Sequence, residues 1–280
     1  MLSLLNLEIY EGERKKMKIE ELAIQCRIDI LNMTAEKKAG FVGSAFSCVD
    51  VLAVLYQSFI KYTGNEEKDD MLILSKGHAA SAWYAVLANV GIIDRNKLQE
   101  YNTSGKNLGV HPKRNSLPCI RTTTGSLGQG LGLGCGCALA DKISGKDNKT
   151  YVILGDGECN EGSVWESFMF GAKQRLNNLI VIIDRNRLQS YGTDEEVLDL
   201  DDIAAKCREF HWNVFSIDGH DYSQIADALQ KAGQAKERPS VIVANTIKGK
   251  GVAEFENGII WHYKWPEGEI YKRALEELKA

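Results

Sequence analysis

The sequence predicts an α/β fold, a doubly wound and mainly parallel sheet flanked by helices. Short apolar runs that are rich in β-branched residues and lack polar alternation are typical of strands buried on both faces. Such runs occur at residues 151–154, 179–183 and 240–245. Between the first two, residues 161–175 contain no proline, and Phe168, Ala172 and Leu176 recur at helical spacing. Strand, helix and strand in this order form the unit from which parallel sheets are built.

Further elements complete the predicted order. Helices are expected at residues 17–38, 78–90, 201–210, 222–231 and 268–279, and strands at 71–74 and 213–217. The small residues at 40–47 predict a loop, and Ser47 with Asp50 predicts a capping box for a helix that reaches about Tyr62. We expect residues 17–280 to form a single domain and residues 1–16 to be an N-terminal extension.

Composition and charge argue against several classes of protein. The chain of 280 residues has 26% charged residues and a net charge of −4, which gives no sign of a nucleic-acid or anionic-membrane partner. No apolar stretch has the length of a bilayer-spanning helix, and the first residues lack the basic start and cleavage site of a signal peptide. Seven cysteines without disulfide-like spacing favour a reducing, cytoplasmic location.

The segment around Gly155 to Asn186 carries the strongest functional signal. Asp156 lies between two glycines just after the strand predicted at 151–154, and Asn186 follows about 30 positions later at the end of the next strand. Because parallel strands present their carboxyl ends at one sheet edge, Asp156 and Asn186 should lie close together. Their oxygen atoms suit a magnesium ion that also holds a diphosphate. Gly-Asp-Gly alone is also typical of a tight turn.

Other segments place glycine, histidine and lysine at the ends of predicted elements. The Ser-Lys-Gly-His segment at 75–78 predicts an anion-contacting turn at a helix start, although a histidine there can also be a cap or packing residue. Glycine at every second position from 128 to 136 indicates close packing or ligand approach, since each costs a helix about 1 kcal/mol against alanine. A dinucleotide site is disfavoured because no strand clearly precedes these glycines. Lys248 can face a diphosphate or solvent, and His220 can belong to a helix cap.

The order of these motifs resembles that of transketolases. The shared segments are Ser-Lys-Gly-His-Ala-Ala at 75–80, Thr-Gly-Ser-Leu-Gly-Gln-Gly at 124–130, Gly-Asp-Gly at 155–157 with Asn186, Asp-Gly-His-Asp at 218–221, and Lys-Gly-Lys-Gly at 248–251 with Trp-His at 261–262. The resemblance covers about residues 18 to 265. It implies the amino-terminal, thiamine diphosphate-binding half of the enzyme, in its thiamine diphosphate-binding fold, encoded as a separate subunit.

The resemblance also implies residue roles. The implied ligands of Mg²⁺ (or Ca²⁺ or Mn²⁺) are Asp156, Asn186 and the carbonyl of Leu188. The implied cofactor contacts are Ser44, His78, Gly125, Ser126, Leu127, Gly157, Asn186, Lys248 and His262. The implied catalytic residues are His78, His111, His262 and Glu161. In this resemblance Leu127 supports the bent cofactor, His111 and His262 contact the substrate, and Glu161 pairs with carboxylates across a subunit interface.

The implied reaction needs a second polypeptide. A transketolase transfers a two-carbon ketol unit from a ketose, a sugar phosphate or related sugar acid, to an aldose. The glutamate that activates the cofactor lies in a pyrimidine-binding domain, which this resemblance places on a C-terminal companion subunit, in an expected α2β2 assembly. We therefore expect this polypeptide alone to be inactive or nearly so.

One departure from the family pattern and two alternative functions stay open at this point. The family reads Gly-His-Pro-Gly where this chain has Gly-Phe-Val-Gly at 40–43, so Phe41 replaces a polar group that is expected to contact the donor. Phe41 is either repacked or indicates an unusual substrate, such as a modified sugar acid or a sulfosugar. The alternative functions are the α subunit of a 2-oxoacid dehydrogenase or related decarboxylase, and a non-catalytic cofactor-binding partner.

Overall fold

The computed structural model describes residues 17–280. Within this range, five strands form one sheet in the order β1-β2-β3-β5-β4, and all neighbouring pairs run parallel. The strands are β1 Met71–Leu74, β2 Thr150–Gly155, β3 Leu179–Arg185, β4 Asn213–Asp218 and β5 Ser240–Asn245. The predicted parallel α/β fold is therefore confirmed.

Helices connect the strands and cover both faces of the sheet. They are α1 Ile19–Lys37, α2 Val42–Ser58, α3 Ala80–Asn89, α4 Gly130–Ile143, α5 Gly162–Lys173, α6 Asp194–Val197, α7 Ile203–Glu209, α8 Tyr222–Gly233 and α9 Gly268–Lys279. A single 3-10 turn, Gly77–Ala79, precedes α3, and another, Gly157–Asn160, precedes α5. The prediction of residues 1–16 as an extension lies outside the described residues, and the single-domain boundary stays a prediction.

Alternate side chains of each strand enter two separate cores. Ile182 of β3 lies in the larger core with α1, α2, α3 and α8, whereas its neighbours Val181 and Ile183 lie in the smaller core under α4, α5 and α7. Both faces of the strand are thus buried, which explains why its sequence shows no alternation of polar and apolar residues. Trp83 and Tyr56, which are fully buried, fill much of the larger core, and the Trp83 indole donates to the Tyr56 hydroxyl at 2.6 Å.

The predicted loop at 40–47 and its capping box are wrong. Helix α2 begins at Val42, and Ser47 and Asp50 are buried inside it. The Ser47 hydroxyl donates to Asp184 at the end of β3 at 2.6 Å, and Asp50 accepts from Arg27 at 2.7 Å. These partners come from distant parts of the chain, so tertiary contacts turn two typical cap residues into buried polar links in the middle of a helix.

The remaining boundaries differ from the predictions by one to a few residues at the ends of helices and of three strands. The helix predicted at 161–175 extends over Gly162–Lys173, and the helix expected to reach Tyr62 ends at Ser58. Strands 71–74 and 240–245 and the last helix have the predicted bounds. In residues 17–280, no helix combines the length and apolar character that crossing a membrane requires.

We expect Ile182→Ala to lower the free energy of unfolding of the isolated chain by about 3 kcal/mol, because it leaves a cavity in the central strand. Urea unfolding followed by circular dichroism measures the change. Ile143→Ala is the matched control, since Ile143 is 77% exposed and its truncation should change stability by less than about 0.5 kcal/mol. Equal effects of the two substitutions would contradict the assignment of Ile182 to the core.

Candidate functional site

The ends of three adjacent strands bring the predicted site residues to one edge of the sheet. Gly155 at the end of β2 pairs with Asp184 of β3, and Arg185 of β3 pairs with Asn245 of β5. The residues that follow these strands are Asp156, Asn186 and Thr246. Because the strands are parallel, all three segments leave the sheet in the same direction and their side chains meet there.

The three predicted metal ligands lie within one hydrogen-bonded turn system. The Asp156 carboxylate accepts from the backbone N–H of Gly157 at 2.9 Å and of Arg187 at 2.6 Å. Asn186 accepts from the N–H of Leu188 at 3.1 Å through its side-chain oxygen. Asp156 is thus tied to the residue between Asn186 and Leu188, which places a carboxylate, an amide oxygen and a carbonyl group in the same small region.

The electrostatics at Asp156 fit a bound cation. Burial, followed by the nearby carboxylates of Asp194 and Asp184, raises the pKa of Asp156 to about 7. A buried carboxylate among other carboxylates needs positive charge nearby to stay ionised. Together with the oxygen donors of Asn186 and Leu188, this donor set suits a hard divalent ion such as Mg²⁺.

Lys248 is buried and contacts the same turn. Its side chain is 0% exposed, so the solvent-facing alternative is contradicted. The Lys248 ammonium donates to the carbonyl oxygens of Leu188 at 3.0 Å and Gln189 at 3.1 Å, and to His262 Nδ1 at 3.1 Å. Burial, followed by the charge of Lys76, lowers the pKa of Lys248 to about 8. A buried ammonium beside the turn that carries the predicted metal ligands suits a diphosphate group.

Three predicted histidines surround the ring of Phe41. The ring centroid of Phe41 lies 5.3 Å from His78, 5.8 Å from His111 and 5.4 Å from His262, in each case with an edge-to-face orientation. His262 also lies within 3.4 Å of the Ser44 hydroxyl, measured from Nδ1. The structure therefore brings His78, His111, His262 and Ser44 together, and it places the residue that departs from the family pattern at the centre of the histidines.

The environment of the histidines keeps their imidazoles neutral. Burial, followed by the charges of Lys248 and Lys76, lowers the pKa of His262 to about 3. Burial also lowers the pKa of His78 well below its ordinary value and lowers that of His111. A neutral imidazole has one nitrogen that donates and one that accepts. Since the Lys248 ammonium donates to His262 Nδ1, the proton of His262 is on Nε2.

The Gly125 turn, which precedes the glycine-rich helix α4, lies against His111. Gly125 has a φ of +136°, and a Cβ there would lie 2.9 Å from His111 Cδ2, so only glycine allows this approach. Ser126 and Leu127 are exposed, with Leu127 at 37%. Glu161 is exposed at the start of α5 beside Gly128, and within residues 17–280 no hydrogen bond or ion pair joins its side chain to the three histidines.

Sequence reasoning missed two buried acids that hold this edge together. Asp184 pairs with the Lys76 ammonium, so Lys76 meets an internal carboxylate rather than an external anion. Burial alone would raise the pKa of Asp184. The charge of Lys76 and the hydrogen bonds that Asp184 accepts from Lys76, Ser47 and Thr246 outweigh burial, so the pKa is lowered. Glu158 accepts from the Ser75 hydroxyl and from the N–H groups of Gly128 at 2.9 Å and Gly155 at 3.1 Å. The available signal was an acidic residue at, or just after, the end of a buried strand.

The fold and this edge define a class of protein, namely an α/β domain that holds a diphosphate-bearing cofactor at the carboxyl ends of parallel strands. The chain belongs to the transketolase family: the family model described as "Transketolase, thiamine diphosphate binding domain" matches residues 19–263. The family resemblance predicted from the sequence motifs is thereby confirmed.

The chain is similar to separately encoded subunits within that family. It is 36% identical to one subunit of the apulose-4-phosphate transketolase of Phocaeicola vulgatus, over 94% of this chain and 95% of that protein. It is 39% identical to one subunit of the 6-deoxy-6-sulfo-D-fructose transketolase of a Clostridium species, over 86% and 88% respectively. It is 33% identical to human transketolase, over 95% of this chain but 43% of that protein.

Solved transketolases have the same fold. The enzyme from Campylobacter jejuni matches with a TM-score of 0.85 and 28% identity, covering 93% of this chain and 42% of that chain. The enzyme from Leishmania mexicana matches with a TM-score of 0.86 and 25% identity, covering 94% and 41%. The chain thus spans about two fifths of these enzymes. By family and by its match to separately encoded subunits, it is an N-terminal transketolase subunit.

We expect acid to destabilise the isolated chain partly through His262. Its pKa is about 3 in the folded chain and near the ordinary value of about 6.5 when unfolded, so the unfolded chain binds more protons as pH falls below about 6.5. Between pH 7.5 and pH 5, His262 should account for a loss of about 1–2 kcal/mol, which His262→Gln abolishes. Urea unfolding at both pH values measures this difference.

The control for His262→Gln is His211→Asn. His211 is exposed, and asparagine tolerates its positive φ of 63°. This variant should show the same loss of stability between the two pH values as the wild type. An unchanged acid loss in His262→Gln would contradict the effect of burial on this imidazole.

Proposed function

We propose that this chain holds thiamine diphosphate and a divalent metal in a transketolase that it forms with a companion subunit. The assembly transfers a two-carbon ketol unit from a ketose to an aldose. The observation that carries this proposal is the meeting of Asp156, Asn186, the Leu188 carbonyl and buried Lys248 at one sheet edge, beside three neutral histidines. The match to the family's cofactor-binding domain supports it.

Within this proposal, the turn after β2 and the turn after β3 hold the charged end of the cofactor. Asp156, Asn186 and the Leu188 carbonyl ligate Mg²⁺, for which Ca²⁺ or Mn²⁺ can substitute, while Lys248 and the Gly157 amide face the diphosphate. The Gly157 N–H is directed at Asp156 in the structure. It therefore lies beside the metal ligand. Gly125, Ser126 and Leu127 would line the remainder of the cofactor, with Leu127 as its apolar support.

The histidines are proposed to bind and orient the substrate. Bound thiamine diphosphate supplies a nucleophilic carbon for cleaving the carbon–carbon bond of the ketose. His111 and His262 contact sugar hydroxyls and handle a proton at the reacting carbonyl oxygen, which a neutral imidazole with the proton on Nε2 can donate. His78 and Ser44, which both lie beside His262, are proposed to be near the diphosphate. The aromatic ring of Phe41 fills the space between the imidazoles and keeps water out of it.

An exposed face of the chain supports the need for a companion. Leu133 on α4 and Met169 and Phe170 on the adjacent α5 are exposed, together with Leu127. Gly136 lies in the interior of α4, and a Cβ there would meet nothing within 4 Å among the described residues. Glycine costs a helix about 1 kcal/mol against alanine. The packing of this chain gives no reason for Gly136, whereas a second chain lying close to α4 does.

The companion is proposed to be the C-terminal transketolase subunit. It supplies the pyrimidine-binding domain with its catalytic glutamate, and Glu161 at the rim of the site approaches carboxylates of a neighbouring subunit in an α2β2 assembly. The relatives that are named as single subunits of a transketolase support a divided enzyme.

The seven cysteines are all free, which supports the predicted cytoplasmic location.

The transketolase relatives favour ketol transfer over the 2-oxoacid dehydrogenase alternative. Mixing this chain with the product of a companion reading frame and assaying ketol transfer against 2-oxoacid decarboxylation distinguishes the two. A non-catalytic partner would leave both assays at background with every ketose tested. Full turnover by this chain alone would contradict the divided site.

We expect Asp156→Ala and Asn186→Ala to weaken uptake of thiamine diphosphate with Mg²⁺ at least about 100-fold, because each removes a metal ligand. Isothermal titration calorimetry on the chain with its companion measures this loss without requiring turnover. Asp227→Ala is the matched control, since Asp227 is exposed on α8 and forms an ion pair with Lys231 of the same helix. Undiminished uptake in both site variants would overturn the proposed metal site.

Phe41 is proposed to restrict the substrate. Its ring presents only carbon and C–H groups among the three imidazoles, so a sugar hydroxyl directed at it would lose its water without gaining a partner. Sugars that carry C–H or a deoxy carbon at that position avoid this cost. A modified ketose that lacks a hydroxyl there is therefore the proposed substrate class, and in a sulfosugar or sugar acid the charged group would lie away from Phe41. Two relatives are named for unusual ketoses, which supports this class.

We expect Phe41→His to shift selectivity toward hydroxylated sugars by about 10-fold, because it restores a polar partner for a hydroxyl. The measurement is the ratio of kcat/KM for D-ribose 5-phosphate to that for 2-deoxy-D-ribose 5-phosphate as acceptors, a pair that differs by one hydroxyl. Phe41→Leu, which stays apolar, should leave the ratio within about twofold. Identical ratios in Phe41→His and Phe41→Leu would contradict the role of Phe41.

A further inference from the structure

The Asp-Gly-His-Asp motif at 218–221 has no part in the proposed cofactor contacts. Asp221 caps α8, accepting from the N–H groups of Ser223 at 2.9 Å and Gln224 at 3.1 Å. His220 does not take part in this cap through its side chain. Its imidazole crosses instead to α2, where Nδ1 lies 2.7 Å from the Asp50 carboxylate.

The second nitrogen of His220 reaches the loop after β5. His220 Nε2 accepts from the backbone N–H of Ile247 at 2.8 Å. An N–H group can only donate, so Nε2 carries a lone pair and the proton of the ring is on Nδ1, where it is donated to Asp50. The imidazole therefore links the buried Asp50 carboxylate to the backbone one residue before Lys248.

Asp50 also reaches the other end of this loop, through Arg27. The guanidinium of Arg27 donates to both oxygens of Asp50, at 3.0 and 2.7 Å, and its Nε donates to the carbonyl oxygen of Lys250 at 2.8 Å. Arg27 and Asp50 are both buried. The Tyr222 hydroxyl donates to Asp50 as well, at 3.2 Å. One carboxylate thus fixes two side chains that hold the loop at residues 247 and 250.

The segment between these two contacts is a tight turn that presents Lys248. The N–H of Lys250 donates to the carbonyl of Ile247 at 3.2 Å, and Gly249 has a φ of +80°. A Cβ on Gly249 would lie 2.2 Å from the carbonyl oxygen of Phe255, so glycine is required there. Lys248 is the second residue of this turn, and the first and last residues are the two that His220 and Arg27 hold.

We propose that Asp50, acting through His220 and Arg27, positions Lys248 for the diphosphate of the cofactor. This inference rests on the proposed function, since Lys248 is proposed to meet that group. Asp50, His220 and Arg27 act through the turn that carries Lys248, and they are positioning residues. A lysine side chain has several rotatable bonds, so the location of its ammonium depends on a fixed backbone turn as well as on its own hydrogen bonds.

Two substitutions of His220 separate the two ends of the link. Glutamine can place an amide oxygen where Nε2 lies, so His220→Gln keeps an acceptor for the Ile247 N–H. Asparagine is shorter and places its amide nitrogen where Nδ1 lies. His220→Asn therefore keeps a donor for Asp50 but loses the acceptor for the Ile247 N–H. His211→Asn is the control, because it makes the same change of side chain at an exposed histidine.

Two measurements are made on each variant, with thermal unfolding recorded alongside. Hydrogen–deuterium exchange of the isolated chain reports the protection of residues 246–251. Calorimetric titration of the chain with its companion, using thiamine diphosphate and Mg²⁺, reports affinity. We expect His220→Asn to speed exchange of the turn and to raise the Kd about 10-fold, while His220→Gln stays within about threefold of wild type. At saturating cofactor, kcat should be within about twofold of wild type in both.

Each outcome supports or overturns a defined part of the inference. Weaker cofactor binding in His220→Asn than in His220→Gln, at equal melting temperatures, supports positioning. Affinities that fall equally in both, in step with the melting temperature, assign His220 a structural role and overturn it. Unchanged exchange of residues 246–251 in His220→Asn overturns the link to the turn, whatever the affinity. A wild-type chain that binds no cofactor with its companion overturns the proposed function. Even then, hydrogen–deuterium exchange of residues 246–251 still tests whether His220 holds the turn.

Discussion

Asp184, at the end of the central strand β3, is the point on which the site edge depends. Its carboxylate accepts from the Lys76 ammonium after β1, from the Ser47 hydroxyl in α2 and from the Thr246 hydroxyl after β5. Three segments that are distant in the sequence are thereby joined at one buried group. A buried ion pair of this kind adds little net stability, but loss of one partner leaves an unpaired charge that costs about 3–5 kcal/mol. The pair therefore acts chiefly to fix geometry.

Of the buried charged groups around Asp184, one pair is neutralised internally and two groups are not. Lys76 and Asp184 neutralise each other. Burial alone would lower the pKa of Lys76, but the charge of Asp184 outweighs it and the pKa is raised. Within residues 17–280, Asp156 has backbone N–H groups as its donors, and its pKa is raised by burial and by its acidic neighbours. A chain that keeps such a carboxylate gives up stability at that position, which is typical of a site whose charge is completed by a ligand. Lys248 is likewise a buried group whose charged form is disfavoured, because burial and the charge of Lys76 lower its pKa.

The site is built on one side only, which agrees with the length of the chain relative to its family. Buried residues form the floor, namely Ser44, Asp156, Asn186 and Lys248. By contrast, Ser126, Leu127 and Glu161 at the rim are exposed. Nearby, α4 and α5 expose apolar side chains and a glycine with free space beside it. Single-chain transketolases have more than half of their length beyond the part that this chain matches, and a second subunit is the proposed source of the missing wall.

The sequence by itself determined the parallel α/β fold, the strands and the meeting of Asp156 and Asn186 at one sheet edge, because these depend on local patterns. Unalternated β-branched runs identify buried strands, and Gly-Asp-Gly with a distant Asn needs only the rule that parallel strands end at one edge. Only the tertiary structure decided that Ser47 and Asp50 lie inside a helix, that Lys76 meets Asp184, that Phe41 lies among three histidines, and that His220 reaches Ile247. Each of these contacts joins residues far apart in the chain, where no spacing rule indicates which polar group will meet which.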